Sequence, residues 1–413
     1  MSDETLPLNL GEELLEQFLT TGRTLDPKDA PRIADQYTRA LGLGSSSVYL
    51  TDIQQNRLVA LADGRDLPID GTLAGWAFRT GSMQVAEDDT TGLAAWFPLV
   101  DGAERLGVLG LRTASLDRAA VRRCRLLAAL LAMVITSKRD TSDSYAHGTR
   151  ADTMSLPSEM LRAFLPPRTV CTERAVSTAV LEPAYRLGGD AFEHSLDDGV
   201  LHAAVLDAMG HDLASGLTAA LALAACRNAR RNGGDVPDLV ATIDQALHEW
   251  FPDRFATGVF LRLDVATGTL HWANCGHPEP LLIRANEVVP DALAGPDELP
   301  LGLGHLTGAP RTVQTFSLQP GDRLLLYTDG VVDAKGTQHE FFGLERFTDF
   351  VIRTTAAGEA APEALRRLIH AILEHQDEGL TDDATIMMIE WHPVTPPPPE
   401  GFRARTAAGR PGT

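Results

Sequence analysis

The stretch "VLHAAVLDAMGHDLASG", Val200 to Gly216, carries the reading of the fold. An apolar run of strand type ends on one acid, Asp207, and a helix starts just after Gly210 and His211. The helix goes on as "LTAALALAACRNARR", Leu217 to Arg231, whose small residues allow close approach to a sheet, and its last-turn arginines precede Gly233 and Gly234. The same design recurs. "LLLYTDGVVDAKG", Leu324 to Gly336, runs an apolar strand into Asp329; "RLGGDAFE" sets Asp190 after Gly188 and Gly189; "GLTDDATIMMIE" places Asp382 and Asp383 directly before the strand Ala384 to Glu390. Each acid taken singly is an ordinary turn residue. Together, at one end of a shared sheet or across a sandwich, four carboxylates would repel one another unless cations neutralised them. Oxygen ligands without His or Cys suit hard divalent ions such as Mg²⁺ or Mn²⁺. A pair of such ions supplies what phosphate ester hydrolysis needs and removes the need for a nucleophilic side chain; no G-x-S-x-G motif is seen.

Composition narrows the partners. The chain has 413 residues, long enough for two or three domains, with 44% hydrophobic and 22% charged residues, as in globular proteins. Its net charge of −20, from 56 acidic and 36 basic side chains, argues against nucleic acid. Four scattered cysteines (Cys124, Cys171, Cys226, Cys275) form no C-x-x-C pair and read as free thiols of a reducing compartment. "MSDETLPLNL" has no signal-type apolar region and the run Leu126 to Ile135 is too short to span a bilayer, so a cytoplasmic protein without membrane contact is expected.

Outward from the acids, the chain divides. Residues 1–139 alternate helix and strand patterns: strands are expected at Ser46–Asp52, Arg57–Asp63, Ala95–Val100 and Arg105–Thr113, a short helix at Asp70–Gly81, and a longer helix from Leu116 to Lys138. With "LPIDGTLAGWAFRTG" and "FPLV…RLGVLGL", this block resembles a GAF domain, a sensor of small molecules or signals; the plain alternative is an α+β domain that only packs or dimerises. Residues 140–174 read as a helical linker: "TSDSYAHGTRADT" has no hydrophobic period, and "SLPSEMLRAFLPPR" is a short helix opened by Pro157 and stopped by Pro166 and Pro167. Such a helix either transmits rotation or the state of a homodimer paired through the linker, or is a spacer. Residues 175–393 read as an α+β sandwich, and 394–413, rich in Pro, Gly and Arg, as a disordered tail.

The blocks "EPAYRLGGDAFE", "VLDAMGHDLASGLTAALALAACRNARR", "FATGVFLRLDVATGTLHWANCGHPEPLLI", "LPLGLG", "LQPGDRLLLYTDGVVDAKG…FFGLERF" and "TDDATIMMIE" resemble, in order and spacing, the stage II sporulation E-type phosphatases. These are the bacterial branch of the metal-dependent type 2C serine/threonine protein phosphatases. The resemblance spans Leu181 to Glu390 and implies a four-layer α-β-β-α sandwich holding two divalent cations, Mn²⁺ or Mg²⁺. It implies Asp190 and Asp207 as the core of the metal site, Asp207 bridging, with the main-chain carbonyl of Ala208, Asp329 and Asp382 as further ligands. Asp383 would orient the strand or a water, and Asp333 belongs to the outgoing loop. The implied substrate is a phosphorylated anti-sigma-factor antagonist, with an unidentified small-molecule or protein signal acting on the GAF-like domain. Glu193 and Asp212 depart from the family pattern, and Asp212 is expected to cap the helix that follows it. His211 is either a proton donor to the leaving oxygen or a structural histidine; His277 is read as structural and Arg186 as a surface residue. Two rivals stay open: a phosphatase-like regulatory protein without catalysis, and a metal phosphodiesterase acting on a small nucleotide.

Overall fold

The computed structural model describes residue 20 and residues 26–392, apart from 91, 140, 141, 187, 297, 307–310, 335–340, 377–379 and 381. The proposed tail, the first 19 residues and the end of "LLLYTDGVVDAKG" lie outside the described residues.

In the N-terminal part, β1 (Ser45–Thr51), β2 (Arg57–Ala60), β3 (Leu67–Pro68), β4 (Gln84–Asp88), β5 (Gly92–Asp101) and β6 (Glu104–Thr113) form an antiparallel sheet in the order β3-β2-β1-β6-β5-β4. The helices Ala30–Ala40 and Arg118–Arg139 share a core with one face through Ala34, Cys124, Leu131, Phe97 and Leu109. The helix Leu73–Thr80 packs Ala77 and Phe78 with Leu58, Ile69 and Val108. Thr72 caps that helix through the Gly75 amide and Gly81 ends it in the left-handed region. β3 and β4 were not expected, because two-residue and half-exposed edge strands carry little apolar pattern.

The segment read as linker is more ordered than its polarity suggested. "TSDSYAHGTRADT" contains a helix, Asp143–Thr149, capped by Ser142. The buried Tyr145 anchors it, its hydroxyl donating to the Pro27 carbonyl at 3.1 Å, so one long-range contact replaces the missing hydrophobic period. The helix Leu156–Arg162 follows a Ser155 cap, and β7 (Thr169–Cys171) pairs with β8 (Ala175–Glu182).

From there the chain builds two more antiparallel sheets. β9 (Asp190–Asp197), β10 (Val200–Ala208), β11 (Ala256–Asp264), β12 (Thr269–Cys275) and β15 (Gln314–Ser317) take the order β15-β12-β11-β10-β9. With β13 (Leu281–Arg284), β14 (Glu287–Val288), β16 (Arg323–Tyr327) and β17 (Ala384–Trp391), the other sheet runs β14-β13-β16-β17-β8-β7. Period-two alternation divides its side chains. Leu324, Leu326, Met387 and Ile389 join the β9–β12 sheet and the helices Leu213–Arg231 and Val236–Trp250 in one core. Leu325, Tyr327, Ile386 and Met388 join the helices Gly343–Ala356 and Ala361–His375 in another. Both faces are covered, so the strands read as continuous apolar runs. Among the described residues no helix is long and apolar enough to cross a membrane.

Leu326 lies 1% exposed in the core shared by the two sheets. Leu326→Ala is expected to cost about 2–5 kcal/mol, read as a lowered urea midpoint.

Candidate metal centre

The acids gather where two sheets end. Asp190 opens β9 and Asp207 is the last but one residue of β10, and the two are direct partners in the antiparallel register. In the facing sheet, Asp329 follows β16 and Asp382 and Asp383 precede β17. Hydrogen bonds tie one sheet to the other. Asp190 Oδ2 accepts from the hydroxyls of Thr328 and Thr385, each at 2.7 Å, and both threonines are fully buried. Asp383 Oδ2 accepts from the amides of Gly188 at 2.7 Å and Asp190 at 3.1 Å. The Thr385 amide donates to Thr328 Oγ1 at 2.9 Å, which leaves the Thr328 hydroxyl proton for Asp190.

Two glycines let the backbone at these strand ends pack closely. A Cβ on Gly189 would collide with the Ala208 carbonyl oxygen, and one on Gly330 with the Asp383 carbonyl oxygen. The T-D-G and Gly-Gly-Asp turns thus serve close approach of neighbouring strands within each sheet, at the ends where the acids stand.

Asp329, Asp333 and Asp382 line an open cleft of about 290 Å³ with Gly330, Phe341, Gln376 and Leu380. Asp333, set aside in the sequence as an outgoing-loop residue, faces this cleft; its spacing of four from Asp329 was the available signal. Burial, then the charges of Asp207 and Asp383, hold the Asp190 carboxyl well above the usual carboxylate range. Burial and the charges of Asp329, Asp382 and Asp383 push Asp207 up to about 7. Asp383 rises to about 6 chiefly through burial, against the amide hydrogen bonds it accepts. Asp329 rises through burial and the neighbouring Asp382 and Asp333. Carboxylates are raising carboxylates, the signature of a cluster that a cation would relieve.

The other candidates fall elsewhere. The Glu193 carboxylate is buried and paired with Arg227 at 2.5 Å and Arg230 at 3.0 Å, so it fastens the helix Leu213–Arg231 to β9 instead of joining the acids. Those arginines sit three apart on one face of the helix, and Arg230 lies in its last turn. Asp212 caps the helix by accepting from the Ser215 amide at 2.8 Å and pairs with Arg254. The His211 side chain is exposed, and its backbone packs against Gly188. Buried His277 meets Thr257 Oγ1 at 2.8 Å and is pushed down to about 4 by burial, a neutral structural imidazole. Arg186 is exposed. All four cysteines are free thiols.

Residues 197–392 match the family model described as Stage II sporulation protein E (SpoIIE). The chain carries a SpoIIE-type phosphatase domain. It is 32% identical over 138 residues to Protein IcfG of Synechocystis, covering 33% of this chain and 20% of that protein. It is 24% identical over 220 residues to Phosphoserine phosphatase RsbP of Bacillus subtilis, covering 49% of each. The chain therefore spans a fifth and about half of these two relatives. Among solved structures, the SiaA-PP2C domain of Pseudomonas aeruginosa aligns with a TM-score of 0.49 and 23% identity, covering 62% of this chain and 99% of that one. Of the acids, Asp207, Asp329, Asp382 and Asp383 fall within the matched residues and Asp190 just before them.

Two outcomes follow for the protein without metal. Asp207 and Asp383 bind protons more tightly folded than unfolded, so their contribution is full below about pH 4 and is lost as pH rises through about 6 to 7. Asp207→Asn should therefore stabilise the chelator-treated protein at pH 8, on the order of 2 kcal/mol, with the gain vanishing toward pH 4 in urea titrations. Thr385→Val, which leaves buried Asp190 a donor short, should lose about 1–3 kcal/mol, while Thr385→Ser stays near the parent.

Proposed function

We propose that the protein is a metal-dependent phosphatase that hydrolyses phosphoserine or phosphothreonine on a regulatory protein. The observation that carries the reading is the gathering of Asp190, Asp207, Asp329, Asp382 and Asp383 at the strand ends of two facing sheets, with Asp329 and Asp382 on an open cleft. A cleft lined by acids repels a phosphate dianion, so a phosphoester can enter only once cations have reversed the local charge.

Asp190, Asp207, the Ala208 carbonyl, Asp329 and Asp382 would hold two Mn²⁺ or Mg²⁺ ions. The donors fit this chemistry: all are oxygens. Among the described residues no three His, Cys, Asp or Glu side chains group around one ion position. Bound there, the ions supply Lewis acidity toward a phosphoryl oxygen and an activated water. The protein's own part is placement. Thr328 and Thr385 donate to Asp190 Oδ2 and leave its Oδ1 out of that tie. Asp383 spends its Oδ2 on the Gly188 and Asp190 amides, which favours Asp382 as the direct ligand and Asp383 as the residue that sets the turn.

Residues 175–393 are read as the four-layer α-β-β-α sandwich of this family, and 1–139 as a GAF-like sensor answering a small-molecule or protein signal. Family likeness supports an anti-sigma-factor antagonist as substrate, and the likeness to Phosphoserine phosphatase RsbP of B. subtilis supports phosphoserine. A cytoplasmic homodimer paired through segment 140–174 completes the proposal.

Hydrolysis of a phosphoserine protein with and without Mn²⁺ tests it. Turnover should appear with metal and fall at least about 100-fold in folded Asp329→Asn. No metal-dependent turnover in the parent protein, or near-parent turnover in the variant, would contradict the assignment.

A further inference from the structure

The N-terminal sheet meets the phosphatase domain across a buried charge cluster. Its hub is Glu363, in the helix Ala361–His375. Oε2 accepts from Arg105 of β6 at 2.9 Å and from Arg366 at 3.0 Å, and Oε1 accepts from Arg366 at 2.9 Å. Arg366, 2% exposed, reaches back across the boundary to Asp70 at 2.9 Å and to the Gln55 carbonyl at 3.3 Å. Arg105, 8% exposed, also donates to the Pro362 carbonyl at 2.9 Å and lies 4.8 Å from the centre of the Phe78 ring. His370 Nε2 lies 2.9 Å from the Gln54 carbonyl.

One contact of this boundary touches the acid end of the sheet. Gln54, in the β1–β2 turn, donates to Glu182 Oε2 at 3.0 Å. Glu182 is the register partner of Ala384, the residue after Asp383. The helix Ala361–His375 that carries the hub packs Leu365, Leu368 and Ile369 in the core with Ile386 and Met388 of β17. None of the residues lining the carboxylate cleft belongs to the N-terminal sheet, so the docked domain does not cover the site.

We propose that the N-terminal domain is a brace that regulates the site from behind: docked, it holds the Glu182–Ala384 end of the β8–β17 pair, and release of the charge cluster loosens that end. The chemistry of the boundary favours reversibility. A buried network of arginines and carboxylates is satisfied only while both halves are in place, whereas each half separately can be rehydrated. Phe78 and Arg79, on the helix that packs against the sheet, touch Arg105 and Asp70, so a change in that helix reaches the hub through one side chain. The regulatory part of this proposal rests on the phosphatase reading.

The test compares the full chain with Glu363→Gln and with Asp70→Asn. Asp70 is 61% exposed, so its variant keeps the test alive if the hub variant fails to fold. Hydrogen exchange should quicken at residues 52–57, 361–375 and 384–386, and Mn²⁺-dependent turnover should fall about fivefold or more in Glu363→Gln and less in Asp70→Asn. Exchange left unchanged in all three segments, or quickened with turnover unchanged or raised, overturns the brace. If the parent shows no turnover, the phosphatase reading has failed, and exchange at 384–386 alone decides whether the boundary reaches the acid end.

Discussion

Two buried threonine hydroxyls donating to one oxygen of Asp190 hold the two central sheets in register at their functional end. Asp190 belongs to one sheet; Thr328 and Thr385 end and begin strands of the other. Asp383 repeats the tie in the opposite sense, giving its carboxylate to the backbone of the first sheet. Hydrophobic burial alone would tolerate a slip between two apolar sheets, since packing is not directional. These hydrogen bonds are directional, and a slip would strand a buried carboxylate. The acid cluster can therefore exist at the edge of a core without prying the sheets apart.

The parts of this arrangement legible in the sequence were those written locally. A strand of apolar residues that ends in an acid, a glycine pair before Asp190 and an Asp three residues before a buried helical Ser215 are short-range patterns, and each reappears in place. His277 is buried and meets Thr257 Oγ1 through Nδ1.

What escaped the sequence depends on contacts between distant segments. Thr328 and Thr385 stand beside the acids in "TDG" and "DDAT", yet their work shows only when 138 and 195 residues of separation close onto Asp190. Glu193 stands in the sequence only as a departure from the family pattern, and its pairing with Arg227 and Arg230 shows only once the helix packs on β9. Tyr145 turns a polar stretch into a helix through a bond to Pro27, 118 residues away. The charge cluster around Glu363 joins residues that no local pattern relates.

The most direct measurement of the central claim is anomalous diffraction from crystals of the full chain grown with Mn²⁺. Two peaks roughly 3.5–4 Å apart, flanking the Asp207 carboxylate within reach of Asp190, Asp329 and Asp382, are predicted. Manganese found elsewhere, or no manganese at these strand ends, would contradict the account.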